Sequence, residues 1–369
     1  MDRKTKIYLA ANIAVLEVLL LIVHFTVYKT LSIAFGFDSF ALRVAFGLLS
    51  VTFFTSFIIV RFSRNRLAQW YYTASGYWFG LVHFLFVGAV IFYVVFNIFN
   101  DLNIATPLAT LGIICFAPFF LIHLYGTWNS VRAQVTPITM KVKNLPEFWK
   151  NHKLVFVSDV HLGAVYGKGF SRKVVNRIMA LNPATVIIGG DLYDGPKCDA
   201  EAIVQPWRDL KPPHGVHYIT GNHEFYGEFD RFMAAIKGVG INILKNQTVE
   251  IEGMQFVGVD YNDTHKRENF EAVLEKIELK KDMPAVLIKH EPDNLDVAEK
   301  KGFVLGFFGH THQGQIYPLT HITKRIYNGF DYGYKMFKTL GVYTSSGAGS
   351  WGPPLRLGTR SEIVLVSFA

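Results

Sequence analysis

Apolar residues follow two different rhythms along this chain. Up to about residue 129 they form long, nearly unbroken runs, at about 7–27, 40–60, 77–99 and 107–125. Beyond it they form short runs closed by small, charged or imidazole-bearing residues. Each long run has about the 20 residues that a helix needs to cross hydrocarbon. None shows the polar stripe that a soluble amphipathic helix turns to water. The pattern predicts four transmembrane helices in a domain of residues 1–129. The first run is too long for a signal-peptide core and lacks a clear small-residue cleavage site.

The loops give the predicted orientation. Arg3, Lys4 and Lys6 precede the first run. Arg61, Arg64 and Arg66 lie between the second and third, and Arg132, Lys141 and Lys143 follow the fourth. The opposite side carries only Lys29, with Arg43 just inside the second run. Positive charge marks the cytoplasmic side, so the expectation is a multi-pass cell-membrane protein whose C-terminal part faces the cytoplasm. Trp70, Tyr71, Tyr72, Tyr77 and Trp78 read as an interfacial aromatic belt. Glu17, His24, His83 and His123 fall within the spans. Without a dense polar pathway around them they read as packing groups, which argues against a transporter.

From Lys153 the runs shorten: Leu154–Val157, Ala184–Ile188, Val216–Ile219, Gln255–Val259, Ala285–Ile288 and Val304–Phe308. Between the first two, Val174–Leu181 reads as a helix. Continuous apolar strands alternating with helices predict an α/β layered domain, an α-β-β-α sandwich, over residues 151–369. Residues 130–150 read as a linker and leading strand. Arg325–Tyr343, rich in aromatics and lysines, reads as a packed β-meander, with a substrate wall or a membrane-touching edge as the other readings.

Composition sharpens this division. Of the 369 residues, 50% are hydrophobic and 18% charged, against about 25% charged in ordinary globular chains. Residues 1–129 hold 8 Lys+Arg and 4 Asp+Glu, and residues 130–369 hold 29 and 25. The net charge of +8 therefore splits evenly and is no nucleic-acid footprint. Cys115 lies in a predicted span and Cys198 outside it, so a disulfide between them is not expected.

Chemistry-bearing residues follow the short runs. In order they are Asp159-Val160-His161, Gly190-Asp191-Leu192-Tyr193-Asp194, Gly221-Asn222-His223-Glu224, Lys289-His290-Glu291 and Gly309-His310-Thr311-His312. In α/β domains such loops at strand C-terminal ends hold the chemistry. Each piece alone is a weak signal; together, each behind a strand, they form a strong one. Carboxylate, imidazole and amide ligands suit manganese, iron, zinc, cobalt or nickel. Their number exceeds one tetrahedral site and fits two metals sharing a carboxylate. A glycine-rich phosphate loop with its lysine is absent.

With these motifs, residues from about Asn151 to Phe368 resemble the calcineurin-like metallophosphoesterase superfamily. The tail Val342-Tyr343-Thr344-Ser345-Ser346-Gly347-Ala348-Gly349, followed by Gly352-Pro353-Pro354-Leu355-Arg356-Leu357-Gly358, looks closest to its membrane-linked, YkuE-like branch. Ser361 stands before Glu362-Ile363 where that branch commonly has proline. The resemblance implies that Asp159, His161 and His312 bind one metal, that Asp191 bridges, and that Asn222, His290 and His310 complete the second site. It implies that His223 stays off the metals and faces the leaving group, and that Asp194 matches a carboxylate that bonds such a histidine. Arg356 is taken as a phosphate contact, since Arg suits bidentate phosphate binding; a structural ion pair is its other reading.

The implied cofactor is two divalent ions, manganese first, with iron, zinc, cobalt, nickel or magnesium as alternatives. The implied reaction is hydrolysis of a phosphoester or pyrophosphate bond by metal-activated hydroxide. A membrane domain beside such a site points to an amphiphilic, lipid-linked substrate, for example of the UDP-2,3-diacylglucosamine type. A tethered enzyme acting on soluble nucleotides or phosphoproteins, and a membrane sensor or scaffold with an inactive enzyme domain, are the alternative readings.

Overall fold

The computed structural model describes the backbone of residues 3–369 and the side chains from residue 11 onward. The chain forms two compact units, dividing between Thr127 and Trp128.

The first unit is helical. Three helices, α1 (Arg3–Phe35), α4 (Arg66–Asp101) and α5 (Leu108–Ser130), are long and apolar enough to cross a membrane. Where the sequence predicts one span over 40–60, the structure has two helices, α2 (Phe40–Ser50) and α3 (Thr52–Phe62), bent by 50°. Hydroxyls explain the break. Ser50 Oγ donates to the Gly47 carbonyl, Thr52 Oγ1 to Leu49 and Thr55 Oγ1 to Val51. Such back-bonding competes with the helical ladder and bends it. Hydropathy counts these residues as neutral, so the run looked continuous. Ser39 and Asn65 cap the helices that follow them, accepting from the Leu42 and Ala68 amides.

Polar groups inside this unit are mostly satisfied. Trp78 Nε1 donates to His24 Nε2 at 2.8 Å, and the other His24 nitrogen faces the Leu20 carbonyl. Arg43 bonds Asp38, which also accepts from the Tyr28 hydroxyl. Both carboxylate oxygens of Glu17 are buried without a hydrogen-bond partner among the described residues. Many large apolar side chains of this unit lie outward, among them Leu16, Phe25, Phe62 and Leu121, as a lipid-facing surface requires.

The second unit is a four-layer sandwich. Its strands are β1 (Gln134–Met140), β2 (Leu154–Val157), β3 (Thr185–Ile188), β4 (Val216–Tyr218), β5 (Asn242–Ile243), β6 (Gln247–Ile251), β7 (Met254–Gly258), β8 (Ala285–Ile288), β9 (Leu305–Phe308), β10 (Gly333–Phe337), β11 (Leu340–Thr344) and β12 (Glu362–Phe368). They make two six-stranded sheets, ordered β1-β12-β2-β3-β4-β5 and β10-β11-β9-β8-β7-β6. All four residues of β2, β3, β8 and β9 are buried, which is why these strands read as unbroken apolar runs.

Phe156, Ile187, Phe256, Ile288 and Phe307 fill the space between the sheets. Trp149 joins them and donates from Nε1 to the Ile251 carbonyl. Val174, Val175 and Ile178 of helix Lys168–Ala180 cover one outer face. Phe270 and Leu274 of helix Arg267–Glu275 cover the other. β2, β3 and β4 run parallel, as do β8 and β9, so their C-terminal ends deliver five loops to the site.

The segment read as a β-meander over 325–343 is only partly one. β10 and β11 form an antiparallel hairpin, but Arg325 closes a surface helix, Leu319–Ile326.

Candidate metal centre

Asp159 and His161 follow β2, and Asp191 follows β3. Asn222 and His223 follow β4, His290 follows β8, and His310 and His312 follow β9. Two groups of potential ligand atoms form there within 4.8 Å of one another: Asp159 with His161 and His312, and Asp191 with His290 and His310. His161, Asp194 and His223 form a third such group. All seven sequence-predicted ligands therefore lie in one place, and six of them are buried, His310 only in part.

The backbone reaches this arrangement under strain. Asp159, His161, Asp191, His310 and His312 all have φ between 47° and 68°. Non-glycine residues adopt this left-handed region at a cost of about 1 kcal/mol or more each, and such outliers cluster at functional sites. The loops turn sharply enough to point five side chains back over the strand ends. Gly309 lets them close, since a Cβ there would lie 2.3 Å from an Asp159 oxygen.

Hydrogen bonds fix which atom of each ligand faces inward. His290 Nδ1 lies 2.8 Å from the Gly189 carbonyl and so carries the proton it donates. Its Nε2 lies 3.1 Å from Asp191 Oδ2 and 3.2 Å from Asn222 Oδ1. Asn222 Nδ2 donates to the Tyr226 hydroxyl, which fixes Oδ1 as the inward atom. His310 Nε2 lies 3.0 Å from Glu291 Oε1, leaving Nδ1 at 2.9 Å from Asn222 Oδ1. On the other side, His161 Nδ1 lies 3.2 Å from Asp194 Oδ1, while its Nε2 lies 3.0 Å from His312 Nε2. In the group of Asp191, Asn222, His290 and His310, lone-pair atoms thus face one another. Such acceptor crowding requires a cation between them, either a proton or a metal ion.

The electrostatics carry the same signature. Burial pushes the Asp191 carboxyl up, but His290 and His223 outweigh it and hold Asp191 well below the usual carboxylate range. Burial disfavours a charged His290, yet Asp191 and Asp159 raise it to about 10. Burial raises the Asp159 carboxyl. His312 is held far below the ordinary imidazole value by burial and by the charges of His161 and Arg356. The donor chemistry fits two divalent ions of mixed N/O preference.

His223 stands apart. Its Nδ1 lies 2.8 Å from the backbone carbonyl of Asp194 and 3.7 Å from that residue's carboxylate. Burial works against its charged form, but Asp191 and Asp194 outweigh this and raise its pKa. The ring is therefore oriented by the Asp194 main chain, while the Asp194 carboxylate is closer to His161.

Arg356 lies away from open solvent. It is 0% exposed; its guanidinium donates to the Ser346 and Gly349 carbonyls, and its Nη2 lies 2.9 Å from His312 Nδ1. Burial pushes it down to about 10. Its donors are engaged inside the protein, where they hold the 346–349 loop and one ring of the site.

Two carboxylates near the site carry no role in the sequence reading. Glu291 is held down to about 2: burial opposes this, and the His310 hydrogen bond and charge prevail. Glu224, fully buried, accepts from the Asp191, Tyr193 and Gly221 amides. It ties the loop behind β3 to the loop behind β4. Adjacency to His290 and His223 was their only sequence signal.

A cluster of Asp, Asn and His side chains on the crest of a two-sheet sandwich is the donor set of a candidate metal-dependent hydrolase. The calcineurin-like phosphoesterase family matches residues 152–314, which contain all seven candidate ligands. A metallophosphoesterase of Helicobacter pylori strain J99 is 32% identical over 267 residues, 72% of this chain and 69% of its own length. The chain belongs to the calcineurin-like metallophosphoesterase family, whose members are phosphoric ester hydrolases. A transmembrane protein with metallophosphoesterase domain from Danio rerio is 28% identical, over 66% of this chain and 59% of its own length. A metallophosphoesterase of Aquifex aeolicus is 27% identical, over 67% of this chain and 97% of its own.

Proposed function

We propose that this protein is a four-span membrane phosphoesterase whose catalytic unit faces the cytoplasm and hydrolyses a phosphoester or pyrophosphate bond of a lipid or lipid-linked substrate. The observation that carries the hydrolase reading is the convergence of seven ligand side chains, five of them on strained backbone. Asp159, His161, Asp191 and His312 would hold one divalent ion, manganese first among the candidates. Asp191, Asn222, His290 and His310 would hold the other. Ions bound there supply Lewis-acid polarisation of phosphoryl oxygens and acidify water.

The chain's own residues do the rest. Asp194 and Glu291 orient the rings of His161 and His310, and Arg356 fixes His312. The charges of Asp191 and Asp194 favour protonated His223. With Nδ1 committed to the Asp194 carbonyl, its Nε2 is free to pass a proton to the departing oxygen. The substrate reading is supported by the apolar helices N-terminal to the catalytic unit and by the transmembrane relative. The cytoplasmic orientation is supported by the loop charges.

Asp191→Asn in the full-length protein tests the assignment. The variant should lose bound manganese and hydrolysis of an aryl phosphate together; undiminished hydrolysis would overturn it. A C-terminal reporter active only outside the cytoplasm should stay silent if the orientation is right.

A further inference from the structure

The helix Leu319–Ile326 carries its apolar residues on the outside. Leu319, Ile322 and Ile326 share one face by their i, i+3, i+7 spacing and are 49%, 55% and 65% exposed. No residue of this helix is buried, and those turned partly inward are Thr320 and Thr323. Folding alone selects the opposite arrangement, with threonine outside. Two exposed aromatics stand near its start. Tyr317 is 57% exposed and Trp351 54%, and the Trp351 backbone is held by two hydrogen bonds to the Gln315 side chain.

Charge and position narrow the meaning. Residues 313–330 contain Lys324 and Arg325 and no acidic residue. The helix begins against the turn that carries His312, since a Cβ on Gly314 would lie 2.7 Å from the Thr320 amide. At its other end, the ring of Tyr327 stands 6.3 Å from that of His310. The apolar face is therefore built onto the rim of the metal centre.

We propose that Leu319–Ile326, with Tyr317 and Trp351, is a docking surface seated in the headgroup layer of an anionic bilayer. An exposed aliphatic stripe flanked by cations and aromatic rings has the composition of helices that lie in the interface plane. Lys324 and Arg325 complement anionic lipid. The same two cations would repel each other across a pairing of two copies, which makes the bilayer the better partner. Docking deepens the lipid-substrate reading and rests on it for its purpose: a headgroup phosphate reaches His310 and His312 while its acyl chains stay in the membrane.

The test uses full-length protein in nanodiscs of phosphatidylcholine and phosphatidylglycerol. Cys115 and Cys198 are buried, so an environment-sensitive fluorophore can be placed on Ile322→Cys, with Lys211→Cys as control. The label at 322 should be blue-shifted and quenched by headgroup-region nitroxide lipids, with the quenching weakened when phosphatidylglycerol is left out. A label at 322 as water-exposed as that at 211 overturns docking, and so does ready cross-linking between copies through position 322. Separately, the double variant Ile322→Glu, Ile326→Glu should lower the ratio of vesicle-borne to soluble aryl phosphate turnover at least 10-fold. A quenched label with an unchanged ratio keeps the docking surface and sinks the lipid-substrate reading instead.

Discussion

His310 Nε2 lies 3.0 Å from a carboxylate oxygen of Glu291, and this pairing leaves the other ring nitrogen facing Asn222 Oδ1. A carboxylate behind a metal-binding histidine fixes its tautomer and raises its basicity. Glu291→Gln should weaken binding at the second metal position by roughly 10- to 100-fold. Manganese titration by calorimetry checks this; two unaltered binding steps would show that Glu291 only fills space.

His223 and Asp194 should separate in their effects. His223→Ala should keep its metals and lose roughly 10²- to 10⁴-fold in kcat, the range for a positioned general acid. The loss should shrink for 4-nitrophenolate, which leaves without needing a proton. The His223 ring is oriented by the Asp194 backbone, so Asp194→Ala should keep most of that proton transfer. Its main effect should be weaker metal binding at the His161 side. Steady-state kinetics on two leaving groups, paired with metal analysis, distinguish the outcomes.

Arg356 predicts a stability defect. Truncating it to Met orphans the buried carbonyls of Ser346 and Gly349, each worth about 1–3 kcal/mol. The catalytic unit should unfold several degrees lower, and Arg356→Lys should rescue little, because an ammonium lacks the forked donors. A normal melting temperature with only KM raised would identify a substrate contact instead.

Metal and fold should be linked. Manganese at about 100 times its dissociation constant should stabilise the catalytic unit by roughly 2.7 kcal/mol. Calorimetry of the full-length protein in manganese and in chelator measures the difference. Asp191→Asn should abolish it, and equal melting in both conditions would mean that the ligands hold no ion.

What could be read from sequence follows from burial. The strands β2, β3, β8 and β9 are covered on both faces, so each is an unbroken apolar run followed within three residues by a candidate ligand. β1 is half-exposed along Gln134–Met140 and carries little signal. The ligands stood out by type and order, but nothing in Asp159 or His312 announces a positive φ. Glu224 and Glu291 looked like ordinary loop carboxylates, because their partners are backbone amides and a ring brought in by other elements. Arg356 sits in a Gly- and Pro-rich stretch that reads as open loop. Its burial depends on carbonyls aligned only once the sandwich has closed. The break at Val51 leaves no mark in the hydropathy pattern, because Ser50 and Thr52 interrupt a helix without interrupting its hydrophobicity.

The strand order has a consequence for synthesis. β12 lies between β1 and β2, parallel to one and antiparallel to the other. Until residues 362–368 leave the ribosome, those two strands have no common neighbour, and each presents an unpaired edge. Glu362, which accepts from Ser345, Ser346 and Tyr343, arrives with the same strand and brings the 345–349 loop with it. A catalytic unit without β12 is therefore an open half-sheet whose strand edges invite pairing with other chains.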